Sequence, residues 1–411
     1  MSTQRINNID LIRGIALLGL PFMNIIVFAM PFSAYLNPTS YDSDGFLNHA
    51  TFIFFHLFAD MKFMGLFSLL FGASVMLLAD KLEAKGKSSV AIHYSRAFWL
   101  LVIGFCHAWF IWEGDILTVY ALCSFLLFPF RCLPTKWMLS LAITLLAGSA
   151  YLSSLTDLDE ALDNHNRAAV EVVYSPSEDQ IAKLESIYKG DYERVSTFTR
   201  EQNFGEEERP EDVVLIPLSF SAILHAFGLM ILGMVLYRMG WLSGKLSLRH
   251  YRIQATIGLT VGLPVIILGL VYNYSNQWNL EAFFSYGMLA NNLGSIAVTL
   301  AYVALISLWF QSNLANKLKY AIQLVGRMAL TNYLMQSLIC AFIFYGYGLG
   351  WYGELSRIEL LPVVFVICAF QIIFSTIWLK HFAQGPGEWV WRSLAYMKPA
   401  RIRHERAVQV E

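Results

Sequence analysis

The apolar residues of this chain are gathered into ten long runs that polar segments separate. The runs lie near residues 10–32, 52–79, 94–112, 115–131, 136–154, 213–237, 253–274, 282–310, 319–345 and 358–380. A helix needs about 20 residues to cross the hydrocarbon core of a bilayer, and most runs reach that length. Only Glu113, Gly114 and Asp115 separate the third run from the fourth, which predicts a tight helical hairpin. The pattern predicts an all-α polytopic membrane bundle of about ten transmembrane helices.

Lys and Arg residues are distributed unevenly between the two sets of connecting segments. If the N-terminus is cytoplasmic, the loops at 33–51, 113–114 and 273–281 lie outside and contain neither residue, and the loop at 346–357 contains only Arg357. The segments on the other side carry Lys or Arg at every crossing. Cytoplasmic loops are the ones that hold this excess. We therefore expect both termini to be cytoplasmic.

One long hydrophilic insert interrupts the pattern at residues 155–212, with 16 acidic and 6 basic side chains and a net charge of −10. It divides the chain into an N-terminal transmembrane half (1–154), the extracytoplasmic insert, a C-terminal transmembrane domain (213–393) and a basic cytoplasmic tail (394–411). The stretch 178–195 has a helical pattern. The insert is interpreted either as a small helical cap or as a lid or acceptor-binding flap over an outward-facing site.

Composition supports a membrane protein and gives no basis for nucleic-acid binding or for a metal site. Hydrophobic residues make up 56% of the chain, charged residues only 14%, and the mean hydropathy is +0.51. Soluble proteins carry roughly a quarter charged residues, so the lipid bilayer is the expected partner. The net charge of −1 gives no basis for nucleic-acid binding. None of the five cysteines forms a CxxC pair or has His at metal-ligand spacing, and no metal site is predicted.

The first run, in NNIDLIRGIALLGLPFMN (7–24), contains a charged pair and ends on an amide. Ionisable groups in a membrane helix cost free energy and often mark a site. On one regular helix Asp10 and Arg13 lie a turn apart, and Asn24 lies within about 20° of Arg13, about 16 Å deeper. This predicts a polar seam that runs from the cytoplasmic end. Alternatively, Asp10 and Arg13 pair with each other and lock the helix to a neighbour.

Two further segments carry histidines beside carboxylates. His49, His56 and Asp60 share a predicted helix face, and His56 with Asp60 is either an oriented imidazole, as a general base requires, or a satisfied core pair. In the hairpin, His107 precedes Asp115, which makes it a candidate for acid–base work. The alternative for His107 is donation to a backbone carbonyl.

The last two runs add polar groups near the cytoplasmic face. Arg327, Asn332 and Gln336 are spaced to share one face of a continuous helix. In QGPGEWVWR, Glu388 and Arg392 are four residues apart and can pair, and the two tryptophans are expected to anchor the segment at the interface.

Three arginines, Arg13, Arg327 and Arg392, are expected at one cytoplasmic mouth. Arg suits bidentate phosphate binding, so the three would fit a nucleotide-bearing coenzyme such as acyl-CoA. The alternative is that they only snorkel and orient the helices.

Five motifs along nearly the whole chain carry a resemblance to a known family. They are IDLIRGIALLGLPFMN, KFMGLFSLLFGAS, GFCHAWFIWEGDILTVYAL, GRMALTNYLMQSLI and GPGEWVWR. The chain resembles the YeiB family of bacterial inner-membrane proteins, whose C-terminal half is a domain of unknown function. The resemblance implies a multi-pass protein of the inner membrane.

The opening motif is more distantly similar to transmembrane acyltransferases. In the bacterial O-acyltransferases that modify envelope sugars, a His follows the Arg at this spacing, whereas here Asn24 follows Arg13. The heparan-α-glucosaminide N-acetyltransferase group has Asn there and a working His in the following outer loop, where this chain has His49. This similarity implies acyl-CoA as co-substrate, an envelope sugar or lipid as acceptor, and His107 or His49 as the base.

The sequence supports three hypotheses about function. In the first, an acyltransferase moves an acyl group from cytoplasmic acyl-CoA to an extracytoplasmic acceptor, with Asn24 at the developing oxyanion. In the second, the same polar seam lines the path of a transporter or permease for a small solute. In the third, the polar groups only hold helices together. A homo-oligomer is compatible with each.

Overall fold

The computed structural model describes residues 7–154, 164–204 and 212–403, and these ranges contain helices and no strand. The helices are α1 (Asn7–Gly19), α2 (Pro21–Ala29), α3 (Ser33–Leu36), α4 (Phe46–Phe58), α5 (Lys62–Glu83), α6 (Ser89–Phe110), α7 (Leu117–Phe130), α8 (Thr135–Ser154), α9 (Asn164–Tyr174), α10 (Glu178–Tyr188), α11 (Tyr192–Phe204), α12 (Asp212–Arg238), α13 (Leu248–Ser275), α14 (Met288–Gln311), α15 (Asn316–Arg327), α16 (Ala329–Phe344), α17 (Arg357–His381) and α18 (Pro386–Ala395). Leu280–Ala282 and a π-helical turn at Phe283–Gly287 lead into α14.

The long apolar helices confirm the predicted all-α polytopic bundle. Within the described ranges, 8 helical segments are long and apolar enough to cross a membrane, with α1–α2 and α4–α5 each counted as one. The pair α15–α16 also qualifies but is bent by 84°, and the apolar helix α7 is shorter. All ten predicted runs therefore correspond to helices, although three of them are interrupted.

The first interruption separates α1 from α2. Pro21 stands at the start of α2 and has no backbone N–H, so the regular ladder stops at Leu20. Leu20 itself keeps the helical angles φ −58° and ψ −41°, and Asn7–Ala29 forms one segment long enough to cross a membrane. The polar seam from Arg13 to Asn24 stays a prediction.

The second interruption lies between α4 and α5, where Met61 has a left-handed backbone conformation with φ 60°. Asp60 accepts hydrogen bonds from the Tyr35 hydroxyl and the Asn291 amide, both at 2.6 Å. The Lys62 ammonium donates to the His56 carbonyl at 2.6 Å and to Asn291 Oδ1 at 2.7 Å. Buried charges in a membrane require partners of this kind. The network satisfies Asp60 and Lys62 and holds the irregular segment in place.

Glycines bring the central helices into backbone contact. A Cβ atom on Gly72 of α5 would lie 1.8 Å from the carbonyl oxygen of Met230, and one on Gly233 of α12 would lie 1.9 Å from the carbonyl oxygen of Leu69. The same device joins α1 to α15, because a Cβ on Gly326 would lie 2.0 Å from the Asp10 carbonyl oxygen. Lipid provides no hydrophobic force between helices, so close packing at small residues is a main source of association.

The described part of the insert folds into α9, α10 and α11, which pack on the segments predicted to face outward. The Tyr174 hydroxyl donates to the Trp278 carbonyl at 3.1 Å, and the Gly346 N–H donates to the Tyr188 carbonyl at 2.8 Å. Gly190 lies between α10 and α11, so the predicted helix at 178–195 is two helices. The insert is fixed to the bundle at both of these places.

We expect Gly72→Leu to lower the thermal midpoint of the detergent-solubilised protein, because the new side chain meets the α12 backbone. Overpacking typically costs about 1–3 kcal/mol. Size-exclusion chromatography after heating measures the midpoint. Gly148→Leu is the matched control, since a Cβ on Gly148 has no atom within 4 Å. Equal midpoints for the two variants would contradict the proposed packing.

Candidate functional site

A cavity of about 410 Å³ lies at the end of the bundle that is predicted to face the cytoplasm. Its wall contains apolar side chains of α5 and α6 together with five cationic side chains from α1, α5, α6, α15 and α18. The cationic residues are Arg13, Lys81, Arg96, Arg327 and Arg392. The three arginines predicted to share a cytoplasmic mouth therefore line one cavity, and two further cations join them.

Arg13 is held by three groups from three helices. Its guanidinium lies 3.2 Å from Asp10 Oδ1 and donates to the Ser74 hydroxyl at 3.0 Å and to the Gly326 carbonyl at 3.5 Å. Asp10 pairs with Arg13, as the second interpretation of this motif predicted, and the guanidinium also lines the cavity. The ion pair with Asp10 orients the Arg13 guanidinium, which still forms part of the cavity wall.

Arg96 and α18 form another part of the wall. The Arg96 guanidinium lies 3.9 Å from the centroid of the Trp391 ring, and the Trp391 indole N–H donates to the Arg96 carbonyl at 2.9 Å. Stacking on an aromatic face orients a guanidinium while its N–H edges stay available. These contacts dock α18 onto α6, and the anchoring of Trp391 at the membrane interface stays a prediction.

Glu388 holds the start of α16. Its carboxylate accepts the backbone N–H groups of Leu330 at 2.6 Å and Thr331 at 3.3 Å, and the Thr331 hydroxyl at 2.6 Å. A carboxylate at a helix N-terminus binds otherwise unpaired donors and interacts favourably with the helix dipole. Burial raises the pKa of Glu388, and these hydrogen bonds oppose the shift. The predicted pairing with Arg392 is therefore replaced by capping of α16.

Asn332 and Gln336 lie in a buried polar network outside the cavity wall. The Asn332 amide donates to the Val325 carbonyl at 3.3 Å and to the Ser375 hydroxyl at 2.9 Å. Gln336 donates to Leu17 O at 3.0 Å. Because the chain bends by 84° between α15 and α16, the predicted shared face of Arg327, Asn332 and Gln336 does not exist. The Val325 carbonyl also accepts the Met328 N–H at 3.0 Å, so Asn332 adds a second bond to it beside the bend.

His107 and Asp115 form a buried pair in the hairpin. His107 Nδ1 lies 2.9 Å from Asp115 Oδ1, and Asp115 Oδ2 accepts the Thr118 N–H at 2.7 Å. Since the carboxylate can only accept, Nδ1 carries the proton and Nε2 presents its lone pair. This arrangement is the orientation of a general base that the sequence predicted, and the alternative donation to a carbonyl is not observed.

Tyr333 connects this pair to the cavity. It lines the cavity wall, its hydroxyl lies 3.4 Å from Asp115 Oδ1, and its ring centroid lies 5.4 Å from that of His107. The Ile116 N–H donates to the same hydroxyl at 3.3 Å. Tyr333 therefore contacts both the cation-lined cavity and the His107–Asp115 pair.

Two predicted catalytic residues lie away from the cavity wall. His49 Nδ1 is 3.1 Å from the Tyr274 hydroxyl, near the start of α4. Asn24 is half-buried in α2, beyond the interruption at Leu20. The structure therefore brings His107 and Asp115 next to the cavity and places His49 and Asn24 elsewhere.

The sequence did not predict that Lys81, Arg96 and Tyr333 line the cavity. Cations in loops indicate only the orientation of the chain, but Arg96 lies seven residues inside α6, about 10 Å from its start. An arginine that deep is an intramembrane cation and marks a candidate site. Tyr333 had no comparable signal, because an aromatic residue in an apolar run is most often part of the core.

Comparisons with known proteins place this architecture in a family. The chain is 33% identical to the protein YeiB of Escherichia coli (strain K12) over 395 residues, which cover 94% of this chain and 95% of that protein. The chain belongs to the YeiB family. It is also 29% identical to YxaH of Bacillus subtilis (strain 168) over 411 residues, covering 97% of this chain and 96% of that protein. A 39.9 kDa protein from the amylase 3′ region of Bacillus acidopullulyticus is 24% identical over 394 residues, covering 96% and 94%.

A family model described as a protein of unknown function, DUF418, matches residues 236–398. These residues include Arg327, Tyr333 and Arg392, but Arg13 and His107 lie before them. The YeiB-family relatives align with nearly the whole chain. The cavity is therefore assembled from the matched domain and from the half of the chain that precedes it.

We expect Glu388→Ala to destabilise the protein by about 1–2 kcal/mol, because α16 loses the cap at its N-terminus. Thermal or denaturant unfolding in detergent measures the change. Arg392→Ala is the control and should change stability by no more than about 0.5 kcal/mol. If Arg392→Ala is as costly as Glu388→Ala, the carboxylate acts through an ion pair and the assignment as a cap is wrong.

Proposed function

We propose that this YeiB-family protein is an acyltransferase of the bacterial inner membrane, which moves an acyl group from cytoplasmic acyl-CoA to an extracytoplasmic hydroxyl or amine. The observation that carries the proposal is the position of Tyr333. It lines a cavity that contains five cationic side chains and also contacts the carboxylate that orients His107. A donor site for a polyanion and a candidate base are thus adjacent.

The cavity wall suits the two parts of an acyl-CoA. Arginine guanidinium groups bind phosphates through paired N–H donors, and Arg13 and Arg96 are both held in fixed orientations. Phe67, Phe71 and Leu100 of the same wall supply apolar surface of the kind that a pantetheine arm and an acyl chain require. Five cations lie in or beside the wall with two carboxylates, Glu388 and the Asp10 that pairs with Arg13, and this excess of positive charge favours an anion over a neutral solute.

The proposed reaction uses His107 as base. Its Nε2 takes the proton of the acceptor hydroxyl or amine as the acceptor oxygen or nitrogen forms a bond to the thioester carbon. The carbon–sulfur bond breaks, and the CoA sulfur leaves as a thiolate that regains the proton from the imidazolium. Asp115 keeps the imidazole in the required tautomer and stabilises its cationic form. Asn24 as an oxyanion donor and His49 as an alternative base remain predictions, and their positions do not support them.

A transporter is the second candidate, and the bend between α15 and α16 favours it. Transporters build substrate sites from discontinuous helices near the middle of the membrane. The bend of 84° lies beside the cavity, because Arg327, Ala329 and Leu330 all line its wall. If proteoliposomes take up a solute and acyl-CoA does not change the rate of uptake, transport is favoured.

For the acyltransferase, the expected acceptor is an envelope sugar or lipid.

Acyl-CoA binding is the first test. We expect acetyl-, octanoyl- or palmitoyl-CoA to raise the thermal midpoint of the purified protein, and Arg13→Ala or Arg96→Ala to weaken binding at least about tenfold, since hydrogen bonds to charged groups contribute about 1.5–3 kcal/mol. Lys245→Ala, on a predicted cytoplasmic segment outside the cavity wall, should bind as the wild type does. No shift with any of the three CoA esters at millimolar concentration would refute the donor site.

His107→Gln should lower the rate of acyl transfer by about 10²–10⁴-fold, because the variant has no base for the acceptor proton. Transfer of radiolabel from acyl-CoA to products in native membrane vesicles measures the rate, and the thermal shift with acyl-CoA should persist in the variant. His250→Gln, at an exposed position, is the control. Unchanged transfer in His107→Gln would remove His107 from the mechanism.

A further inference from the structure

One face of α13 is exposed along most of the helix. On the opposite face, Cβ atoms on Gly258 and Gly262 would lie 2.5 and 2.8 Å from backbone oxygens of α14, so the two helices pack closely there. The exposed face carries large apolar side chains that are 49–67% exposed: Ile253, Ile257, Val261 and Leu268. The described residues leave these side chains uncovered, so in a membrane this face contacts lipid.

Two arginines stand at the end of this face that is predicted to be cytoplasmic. Arg249 precedes Ile253 by four residues, so the two lie on one line of the helix, and Arg252 lies one turn from Arg249. Both arginines are exposed, and neither guanidinium binds a described residue. Other arginines of the described chain bind a carboxylate or a carbonyl of the protein: Arg13, Arg131, Arg238, Arg327 and Arg357. The pair on α13 is therefore left to bind a group outside the protein.

Acidic residues are absent from this part of the sequence. No Asp or Glu occurs at residues 213–280 or 282–353, so neither α13 nor α14, which packs along it, contains one. The positive charge of Arg249 and Arg252 is therefore not neutralised by either helix, and it attracts anions. A zwitterionic headgroup would bring an ammonium group for which these helices offer no carboxylate. The charge pattern favours a headgroup with a net negative charge.

The apolar residues below the arginines favour a lipid over a soluble anion. From Ile253 to Leu268 the exposed apolar face is about 22 Å long, which exceeds half of the hydrocarbon core, about 15 Å. An acyl chain of one leaflet therefore finds apolar surface along its whole length. The guanidinium groups stand where the phosphate of such a lipid would lie, and Arg binds phosphate through paired N–H donors. A soluble phosphate would use the arginines alone.

We infer that Arg249 and Arg252 bind the phosphate of an anionic phospholipid, whose acyl chains lie along the exposed apolar face of α13. The lipid comes from the leaflet on the predicted cytoplasmic side. Neither arginine lines the cation-lined cavity, so this site is separate from the proposed donor site. The inference does not depend on the proposed acyltransferase activity, because it concerns only how the bundle is bound by its membrane.

Native mass spectrometry of the purified full chain in detergent tests the site. We would titrate the protein with dioleoylphosphatidylglycerol and with dioleoylphosphatidylcholine, which share their acyl chains and differ in headgroup charge. Because each arginine near an anionic surface changes affinity about fivefold, we expect the first phosphatidylglycerol to bind about 25-fold more tightly than phosphatidylcholine. Arg249→Gln combined with Arg252→Gln should abolish this preference and leave the binding of phosphatidylcholine unchanged.

Lys85→Gln combined with Lys87→Gln is the matched control, because it removes two exposed positive charges from another predicted cytoplasmic segment. It should keep the preference for phosphatidylglycerol, and thermal midpoints verify that all variants are folded. The inference is overturned by equal binding of the two lipids, by a preference that survives in the arginine variant, or by its equal loss in the lysine control. Glycerol 3-phosphate at about 10 mM should not displace the lipid, since it lacks the acyl chains that the apolar face binds. Displacement would identify a site for a soluble phosphate and overturn the assignment to a lipid.

Discussion

The bend between α15 and α16 depends on side chains that bind the backbone groups it leaves without helical partners. In a bilayer each unsatisfied backbone group costs several kcal/mol, so a bend near the membrane requires such partners. Glu388 binds two such N–H groups at the start of α16, and Asn332 adds a bond to the Val325 carbonyl, which also accepts the Met328 N–H. Because Glu388 belongs to α18, the docking of α18 and the bend of 84° stabilise each other. The cavity lies where these elements meet α1 and α6.

Neither half of the chain contains a complete site. The N-terminal half supplies Arg13, Arg96 and the His107–Asp115 pair, and the C-terminal domain supplies Arg327 and Tyr333. The two halves are held together at Gly326, where α15 touches the backbone of α1. Residues from both halves therefore line the cavity, and the YeiB-family relatives align with both halves.

The apolar runs were enough to predict the helices and the all-α bundle, because hydrocarbon thickness sets the length of each run. They did not predict the interruptions at Met61 and Met328, where partners distant in sequence bind the chain, or the one at Leu20, which depends on the neighbouring Pro21. Asn291, for example, lies 231 residues after Asp60 and still determines how the second run is bent. The candidate site was predictable where ionisable residues stood in apolar runs, as with Arg13 and His107. The position of Tyr333 beside Asp115 could not be predicted, because a tyrosine in an apolar run looks like any other core residue.

Because α18 lies near the end of the described chain, it is synthesised after the other helices that line the cavity. This helix follows every membrane-crossing helix of the described chain, and residues beyond it fold back, with the Trp389 indole donating to the Ala400 carbonyl at 2.8 Å. The cation-lined cavity therefore lacks one wall until the whole bundle has been inserted. A partly synthesised chain has the helices of the other walls but lacks Trp391 and Arg392, so the cavity is complete only after the last membrane-crossing helix has been made.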